Sequence, residues 1–328
     1  MPRVTVFMPV YNGSAHLDEA VESILAQSFG DFEFLIIDDG SDDETPNLLQ
    51  KFDDPRLRIV RNDLNLGVPA TRNRGIDLAR GEYLAMIDSD DIAKPERLET
   101  QVRFLDENPD HTVVGSWARE IDENGVRKKL LRRPVTWERL RARLLFTGTI
   151  RTPSAMGRLD VLRSYRFRSE YPVCSDSDFW VRVALEHHCT NLPIDLIDYR
   201  IHSSSLTKSN TERVKGRKIA IARYLLESLD VKFDDSDLEN HFKLRRPKRH
   251  QLDAEYVDWA EVWLRSLIEA NDRREIFPKS EFARAAGQRW YKVLVASGSP
   301  LTRVRPLRSG MWGPMLSFFA SYRRRYQS

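Results

Sequence analysis

Asp88, Asp90 and Asp91 put three carboxylates within four residues, directly after the apolar run Tyr83–Ile87. A run of that length reads as a strand buried on both faces. In open α/β sheets ligands bind outside the carboxyl ends of the strands, which is where these acids fall. Carboxylates this close repel one another unless a positive charge sits among them, and a hard divalent cation with oxygen ligands supplies one. Mg²⁺ or Mn²⁺ held by one or two carboxylates commonly completes its shell with substrate phosphates. The competing use is a helix cap, because Lys94-Pro95-Glu96 announces a helix. One cap takes one Asp, and three exceed that need. The spacing favours a metal–phosphate site.

The elements that must position these acids alternate. Val4–Val10 reads as a first strand ended by the turn Tyr11-Asn12-Gly13, with Ser14 as cap of a helix whose Leu17, Val21, Ile24 and Leu25 share a face. Phe32–Ile37 is a second strand, closing on Asp38-Asp39-Gly40. A short helix at 46–52, a strand at 57–60, a helix from about Asn65 to Ala79 and the strand at 83–87 follow. Alternating strand and helix is the pattern of right-handed crossovers in a parallel sheet. Three of the four strands end in Tyr11-Asn12, Asp38-Asp39 and Asp88–Asp91, which argues for one crevice along the sheet edge.

Beyond a helix at 95–108 the pattern changes. Thr112–Ile121 alternates and ends at the hairpin-like turn Glu123-Asn124-Gly125. A helix is expected at 137–146, a short strand at 154–156, a helix over Phe179–Leu185, and an irregular to extended segment at 192–201. From Thr211 the signals are helical, at 217–229, 254–270 and 279–296, with Trp259, Trp263, Leu264 and Leu267 as a core stripe. The expected division is therefore a catalytic domain over 1–210 and a smaller, mainly helical region over 211–328.

A length of 328 residues allows a full α/β core plus an appendage, and 41% hydrophobic with 31% charged residues describes a globular chain. No apolar run approaches the ~18–20 residues that span a bilayer. The amino terminus lacks the basic-then-apolar build of a signal peptide, so a cytoplasmic address is expected. Two cysteines, Cys174 and Cys189, form neither a disulfide framework nor a zinc site. From Arg284 to the end there are nine Lys or Arg and no Asp or Glu, and Lys243–His250 is a second basic knot. That asymmetry points to an anionic partner. The aromatic and arginine-rich segment 311–326 suits either an anionic membrane surface or a docked terminal helix. No DNA- or RNA-binding motif accompanies the charge, so no nucleic acid is expected.

Met8-Pro-Val-Tyr-Asn-Gly13, Asp38-Asp39-Gly-Ser41, Asn65-Leu-Gly67 with Thr71-Arg-Asn-Arg-Gly75, and Asp88-Ser-Asp-Asp91 stand in an order and spacing that resembles the family 2 glycosyltransferases. Each motif alone is weak, and four in order make a strong signal. The resemblance implies the GT-A fold: an α/β, Rossmann-like, mostly parallel sheet with flanking helices. It also implies an inverting enzyme of the hexosyltransferase type. The donor would be a nucleotide-diphospho-sugar, UDP-linked by preference, and the acceptor a glycan or lipid-linked glycan in the building of a cell-envelope polysaccharide.

Residue by residue, Pro9, Val10 and Tyr11 would line the nucleotide, Asp39 and Arg72 would reach its base or ribose, and Asp88 would sit near the ribose or donor sugar. Asp90, with Asp91, would hold Mg²⁺ or Mn²⁺ on the diphosphate, and His202 is a further candidate ligand. The family's acceptor-activating base falls on Asp176, in Ser175-Asp176-Ser177-Asp178-Phe179-Trp180, where Ser175 replaces the acid that commonly comes first. Asp178 is the alternative base, and Arg151–Ser154 would line the acceptor side. Peripheral contact with the inner face of the membrane would follow from a lipid-linked acceptor.

Three other readings compete. A sugar-1-phosphate nucleotidyltransferase would carry a Gly-rich basic loop after the first strand, and an aspartyl phosphatase a Thr after its second acid; neither is present. A silent nucleotide-sugar-binding or membrane-scaffolding protein of the same fold has only Ser175 in its favour.

Overall fold

The first unit is built on β1 (Val4–Val10), buried at every residue but Pro9. The other strands are β2 (Phe32–Asp38), β3 (Leu57–Arg61), β4 (Tyr83–Met86), β5 (Ile92–Ala93), β6 (His111–Ile121), β7 (Arg127–Leu131), β8 (Met156–Arg158) and β9 (His188–Arg200). They form one nine-stranded sheet in the order β3-β2-β1-β4-β8-β6-β9-β5, with β7 on β6. The computed structural model describes residues 1–201, 211–298 and 313–314. They fall into two units, Met1–Trp137 with Thr149–Thr211, and Glu138–Gly148 with Glu212–Ser328.

β3, β2, β1 and β4 are parallel, with Val4 level with Phe32 on one side and Tyr83 on the other. Helices α1 (Leu17–Leu25), α2 (Thr45–Leu49), α3 (Val68–Leu78) and α4 (Arg97–Glu107) make the crossovers and the flank. Leu17, Ala20, Val21 and Ile24 of α1 are buried, the face that the sequence spacing marks. Ser14 does not cap this helix; its amide donates to Asp43 Oδ2 (3.3 Å), and α1 starts at Leu17. Asp43 is held at about 2: burial alone would raise it, but hydrogen bonds from Thr45 and Ser14 outweigh that.

Two glycines are steric requirements. Gly40 has φ +76°, and a Cβ there would lie 2.8 Å from the Leu64 carbonyl carbon. Gly75 lets α3 rest on Phe7, whose ring carbon would be 2.4 Å from a Cβ. Gly75→Ala is therefore expected to destabilise by about 1–3 kcal/mol, the usual cost of overpacking a filled core. An unchanged urea midpoint would contradict this contact.

Past β4 the sheet becomes mixed. β8 is antiparallel to β4 and β6, β9 is parallel to β6, and β5 is antiparallel to β9. The segment 192–201, expected to be irregular to extended, is extended up to Arg200 as the end of this 13-residue strand. Its pattern is broken because the register jumps from Ser116↔Leu192 to Trp117↔Asp195, so that Pro193 and Ile194 bulge out of the ladder. The basic strand β7 carries no apolar alternation and forms by pairing with β6 after the turn at Gly125. α6 (Leu159–Leu162) and α7 (Ser175–Glu186) complete the unit. Cys174 and Cys189 are free thiols.

The second unit is helical: most of α5 (Trp137–Arg141), then α8 (Thr211–Ser228), α9 (Asp235–Leu244), α10 (Ala254–Arg274) and α11 (Lys279–Ser297). Asp234 caps α9 with a reciprocal capping box to Asp237, and Asp253 accepts from the Tyr256 amide at the start of α10. Trp263, Leu264 and Leu267 are buried, as the stripe requires, while Trp259 stays half-buried and donates to Asp237. Among the described residues no helix is long and apolar enough to cross a membrane.

His241 is fully buried in this core, its Nδ1 accepting from Trp263 Nε1 (3.0 Å) and its Nε2 facing Leu145 O (3.0 Å). That pairing fixes a neutral ring with the proton on Nε2, because a second proton on Nδ1 would oppose the Trp263 N–H. Burial pushes its pKa down to about 4; the Leu145 bond opposes this, and Arg245 and Arg289 reinforce it. The folded value lies below the ordinary 6.5, so this stabilisation is complete above pH 6.5 and is lost as pH falls through 4. The expected loss by pH 4 is about 3 kcal/mol. Urea melts between pH 7 and 4 should show it in the wild type. A His241→Gln variant with the same pH slope would contradict it.

Candidate active site

β2, β1 and β4 are parallel neighbours, so their carboxyl ends open on one side of the sheet. Tyr11, Asp38-Asp39 and Asp88 therefore meet there. At the end of β1, Pro9 is half-buried, Val10 buried and Tyr11 47% exposed. Asn12 takes φ +49° and locks to the next loop: its amide donates to Ser41 Oγ (2.9 Å) and its Nδ2 to Asp42 Oδ1 (2.7 Å).

Asp38 and Asp39 do different things. Asp38 is buried, receives the Ser41 amide (2.9 Å) and lies 3.4 Å from Arg61, so it braces its own turn. Asp39 Oδ1 accepts from Asn62 Nδ2 (2.5 Å) and the Leu66 amide (3.0 Å), and Oδ2 accepts from the Gly67 amide (2.9 Å). Of its four lone-pair positions one, on Oδ2, is left for a ligand. Arg72 is 9% exposed on α3, lies over the Phe167 ring at 5.4 Å and reaches Asp88 Oδ1 at 3.4 Å.

The acidic triplet is not a helix cap. α4 starts at Arg97 after Glu96, well past Asp91. Burial pushes the Asp88 carboxyl up to about 6; Arg72 pulls it down, and Asp90 and Asp176 push it further up. Protein crowds it on most sides, yet 34% of its side chain is accessible. Asp91 is fully buried and sits well above the usual carboxylate range, through burial and then the charges of Asp90 and Asp88. Its Oδ1 accepts the Arg200 amide (2.8 Å), and its Oδ2 has no hydrogen-bond partner among the described residues.

These acids fit a divalent cation. Three carboxylates share one turn, two of them raised by burial and mutual repulsion, and one buried oxygen is orphaned. Among the described residues no three His, Cys, Asp or Glu side chains are grouped so as to hold a metal ion by themselves. Mg²⁺ bound partly by substrate phosphates does not require one. His202 lies outside the described residues.

Asp176 and Asp178 part company in the structure. α7 begins at Ser175 after Cys174, which takes φ +62°. Asp178 is 4% exposed and bound to Arg182 through Nε (3.0 Å) and Nη2 (2.9 Å), with Arg168 at 3.5 Å. Asp176 is half-buried, receives the Thr152 hydroxyl at 3.4 Å, and its charge reaches Asp88. Thr152 in turn accepts from Trp180 Nε1 (3.0 Å), so the helix and the 3-10 turn Thr152–Ser154 hold Asp176 between them.

Three residues beside the acids take contacts that only the fold shows. Arg200 is 2% exposed; its Nε donates to Asp90 O (2.9 Å), Nη1 to Glu123 O (3.0 Å) and Nη2 to Glu19 Oε2 (2.6 Å). It pins the acidic turn to the β6–β7 hairpin and to α1. Arg97, fully buried, donates to Met86 O (2.8 Å), and burial lowers it to about 9 against the pull of Asp91. Tyr199 carries the Arg151 guanidinium 4.1 Å above its ring. In sequence each looks like an ordinary surface cation or strand aromatic, because only the folded sheet brings them beside the acids.

The family model described as "Glycosyl transferase family 2" matches residues 5–166. An uncharacterized glycosyltransferase of Methanocaldococcus jannaschii, MJ1057, is 30% identical over 66% of this chain and 76% of its own length. One of Haemophilus influenzae is 30% identical over 70% of this chain and 76% of its own. In three dimensions the chain resembles S. aureus TarS 1-349, solved in complex with UDP-GlcNAc, with TM-score 0.59, 18% identity and coverage of 90% and 91% of the two chains. It also resembles the mannosyltransferase PcManGT from Pyrobaculum calidifontis, solved with GDP-Man and Mn²⁺, with TM-score 0.52, 17% identity and coverage of 97% and 86%. The structural likenesses show the fold, GT-A, and the curated relatives show the kinship: this chain belongs to glycosyl transferase family 2.

Proposed function

We propose that this glycosyltransferase is an inverting enzyme that moves a sugar from a nucleoside-diphosphate donor, UDP-linked by preference, to a hydroxyl of a polysaccharide or lipid-linked oligosaccharide. The observation that carries the reading is the shared field of two acid groups: Asp88 and Asp90 at the end of β4 and Asp176 at the start of α7. One group suits a cation and its diphosphate, and the other is a carboxylate held ready by Thr152.

In this mechanism Asp176 takes the proton of the acceptor hydroxyl as its oxygen attacks the anomeric carbon. The carbon–oxygen bond to the diphosphate breaks, and its electron pair leaves with the nucleoside diphosphate. Attack opposite the leaving group inverts the anomeric centre, and one base suffices. Mg²⁺ or Mn²⁺, when bound, supplies Lewis-acid neutralisation of the charge on the departing diphosphate. Asp90 and Asp91 would hold it, with His202 as a further candidate. Arg72, braced on Phe167, orients Asp88 toward the ribose and donor sugar, and Pro9, Val10 and Tyr11 line the nucleotide. The remaining acceptor position of Asp39 faces the base or ribose. Arg151 to Ser154 bound the acceptor side.

The donor's base is the part the neighbours leave widest, since one is solved with a uridine nucleotide and the other with a guanosine nucleotide. A screen of nucleotide-sugars with Mn²⁺ or Mg²⁺, scored for nucleoside diphosphate released without acceptor, tests the proposal. One donor should turn over only with metal. Binding without turnover on any acceptor tried would point instead to a silent relative, and no binding at all would sink the reading. A cytoplasmic enzyme with peripheral contact through residues 311–328 fits a lipid-linked acceptor. That segment lies almost wholly outside the described residues. Deleting it should then abolish co-sedimentation with membranes.

A further inference from the structure

Thr152 stands between two groups that fix which way its hydroxyl points. It lies in the 3-10 turn Thr152–Ser154, every residue of which is buried. The turn is held from both sides of its last residue. Ser154 O accepts from Gln101 Nε2 (2.8 Å) on α4, and Ser154 Oγ accepts from the Ser116 amide (3.3 Å) on β6. Gln101 and Ser116 are themselves buried, so the turn is a fixed platform.

An indole N–H can only donate, so Trp180 Nε1, at 3.0 Å, occupies a lone pair of Thr152 Oγ1. A hydroxyl has one hydrogen, and Asp176 Oδ2, at 3.4 Å, is its acceptor. Thr152 and Trp180 are both buried, so neither turns to bulk water instead. Hydrogen bonds around a catalytic group are commonly long in the free enzyme and tighten with substrate bound. No described residue donates to Asp176 Oδ1, and the side chain is half-buried, so that oxygen is the one left open. The terminal torsion of an aspartate has no sharp preference of its own, and a fixed donor therefore decides the plane of the carboxylate.

We infer that Thr152 and Trp180 are positioning residues for the base. The chain from Trp180 Nε1–H to Thr152 Oγ1–H to Asp176 Oδ2 turns the carboxylate so that Oδ1 takes the proton of the attacking hydroxyl. The hydroxyl oxygen bonds to the anomeric carbon, and the bond to the diphosphate breaks with its electron pair on the leaving group. Neither positioning residue touches the reacting atoms. The inference rests on Asp176 as the base and names what holds it in place.

Metal-dependent release of nucleoside diphosphate from UDP- and GDP-linked sugars, with water as the acceptor, tests it. Thr152→Val should lower kcat about 10–10²-fold with the donor KM unchanged, the scale of misplacing a reacting group by about 1 Å. Thr152→Ser keeps the hydroxyl and should recover most of that loss. Trp180→Phe frees the hydroxyl to turn and should fall between the two. Thr152→Val also leaves the Trp180 N–H unpaired and should melt lower, an effect that the serine and phenylalanine variants avoid. With Asp176→Asn already in place, Thr152→Val should cost no further turnover, because residues that act through one group are not additive. Wild-type kcat in Thr152→Val, no recovery in Thr152→Ser, or an equal loss from Thr152→Val in both backgrounds overturns the inference and leaves Asp176 as the base. Full turnover in Asp176→Asn instead removes the base itself, and the inference with it.

Discussion

Asp90→Ala is expected to reduce metal-dependent release of nucleoside diphosphate by a factor on the order of 10³, the scale of losing the charge that stabilises a leaving diphosphate. The expectation rests on position. Asp91 is fully buried with one oxygen committed to the Arg200 amide, and Asp88 leans on Arg72. Asp90 is half-buried, and its backbone carbonyl is pinned by Arg200. Its side chain is therefore best placed to meet a cation from the cleft, and its truncation should spare the fold. Calorimetric titration with Mn²⁺ should show weakened binding in Asp90→Ala with an unchanged melting temperature. Full turnover in the variant, or wild-type turnover that survives EDTA, would remove the metal from the mechanism.

Asp176→Asn and Asp178→Asn should fail in different ways. Asp176 touches Thr152 through one long hydrogen bond and braces little, so its amide should fold normally. Without the base, kcat should fall about 10²–10⁴-fold, the usual contribution of a positioned general base, while donor binding persists. Asp178 is paired with Arg182, 9% exposed, in the middle of the helix packing. Breaking a buried pair leaves an uncompensated charge, so Asp178→Asn should cost about 3–5 kcal/mol of stability. Where the variant remains folded, it should keep most of its turnover. The opposite pattern, a stable but inactive Asp178→Asn, would move the base to Asp178.

Much of this was legible in the chain. The run Tyr83–Ile87 stopping at three acids marked the carboxyl end of β4, because a buried strand must be apolar and its carboxyl end is where polar groups can begin. Turn chemistry at Asp39-Gly40 was equally plain, since only glycine tolerates φ +76° with backbone 2.8 Å from its Cβ position. The long strand β9 was legible only in part, as an irregular to extended stretch. Its apolar pattern is broken by a bulge at Pro193 that only the pairing with β6 makes sense of.

The sequence by itself determined the elements, their alternation, and the acids at the ends of neighbouring strands, because periodicity and turn chemistry are local. Tertiary structure alone decided which acids are alike. Asp176 and Asp178 differ by two residues, yet one meets a hydroxyl and the other a guanidinium. Asp38 and Asp39 are adjacent, yet one braces its own turn and the other anchors the loop at Leu66 and Gly67. Arg200, 109 residues from Asp91, holds the acidic turn in place. A carboxylate's role depends on burial and on the donors that reach it, and those donors arrive from strands and loops far away in sequence.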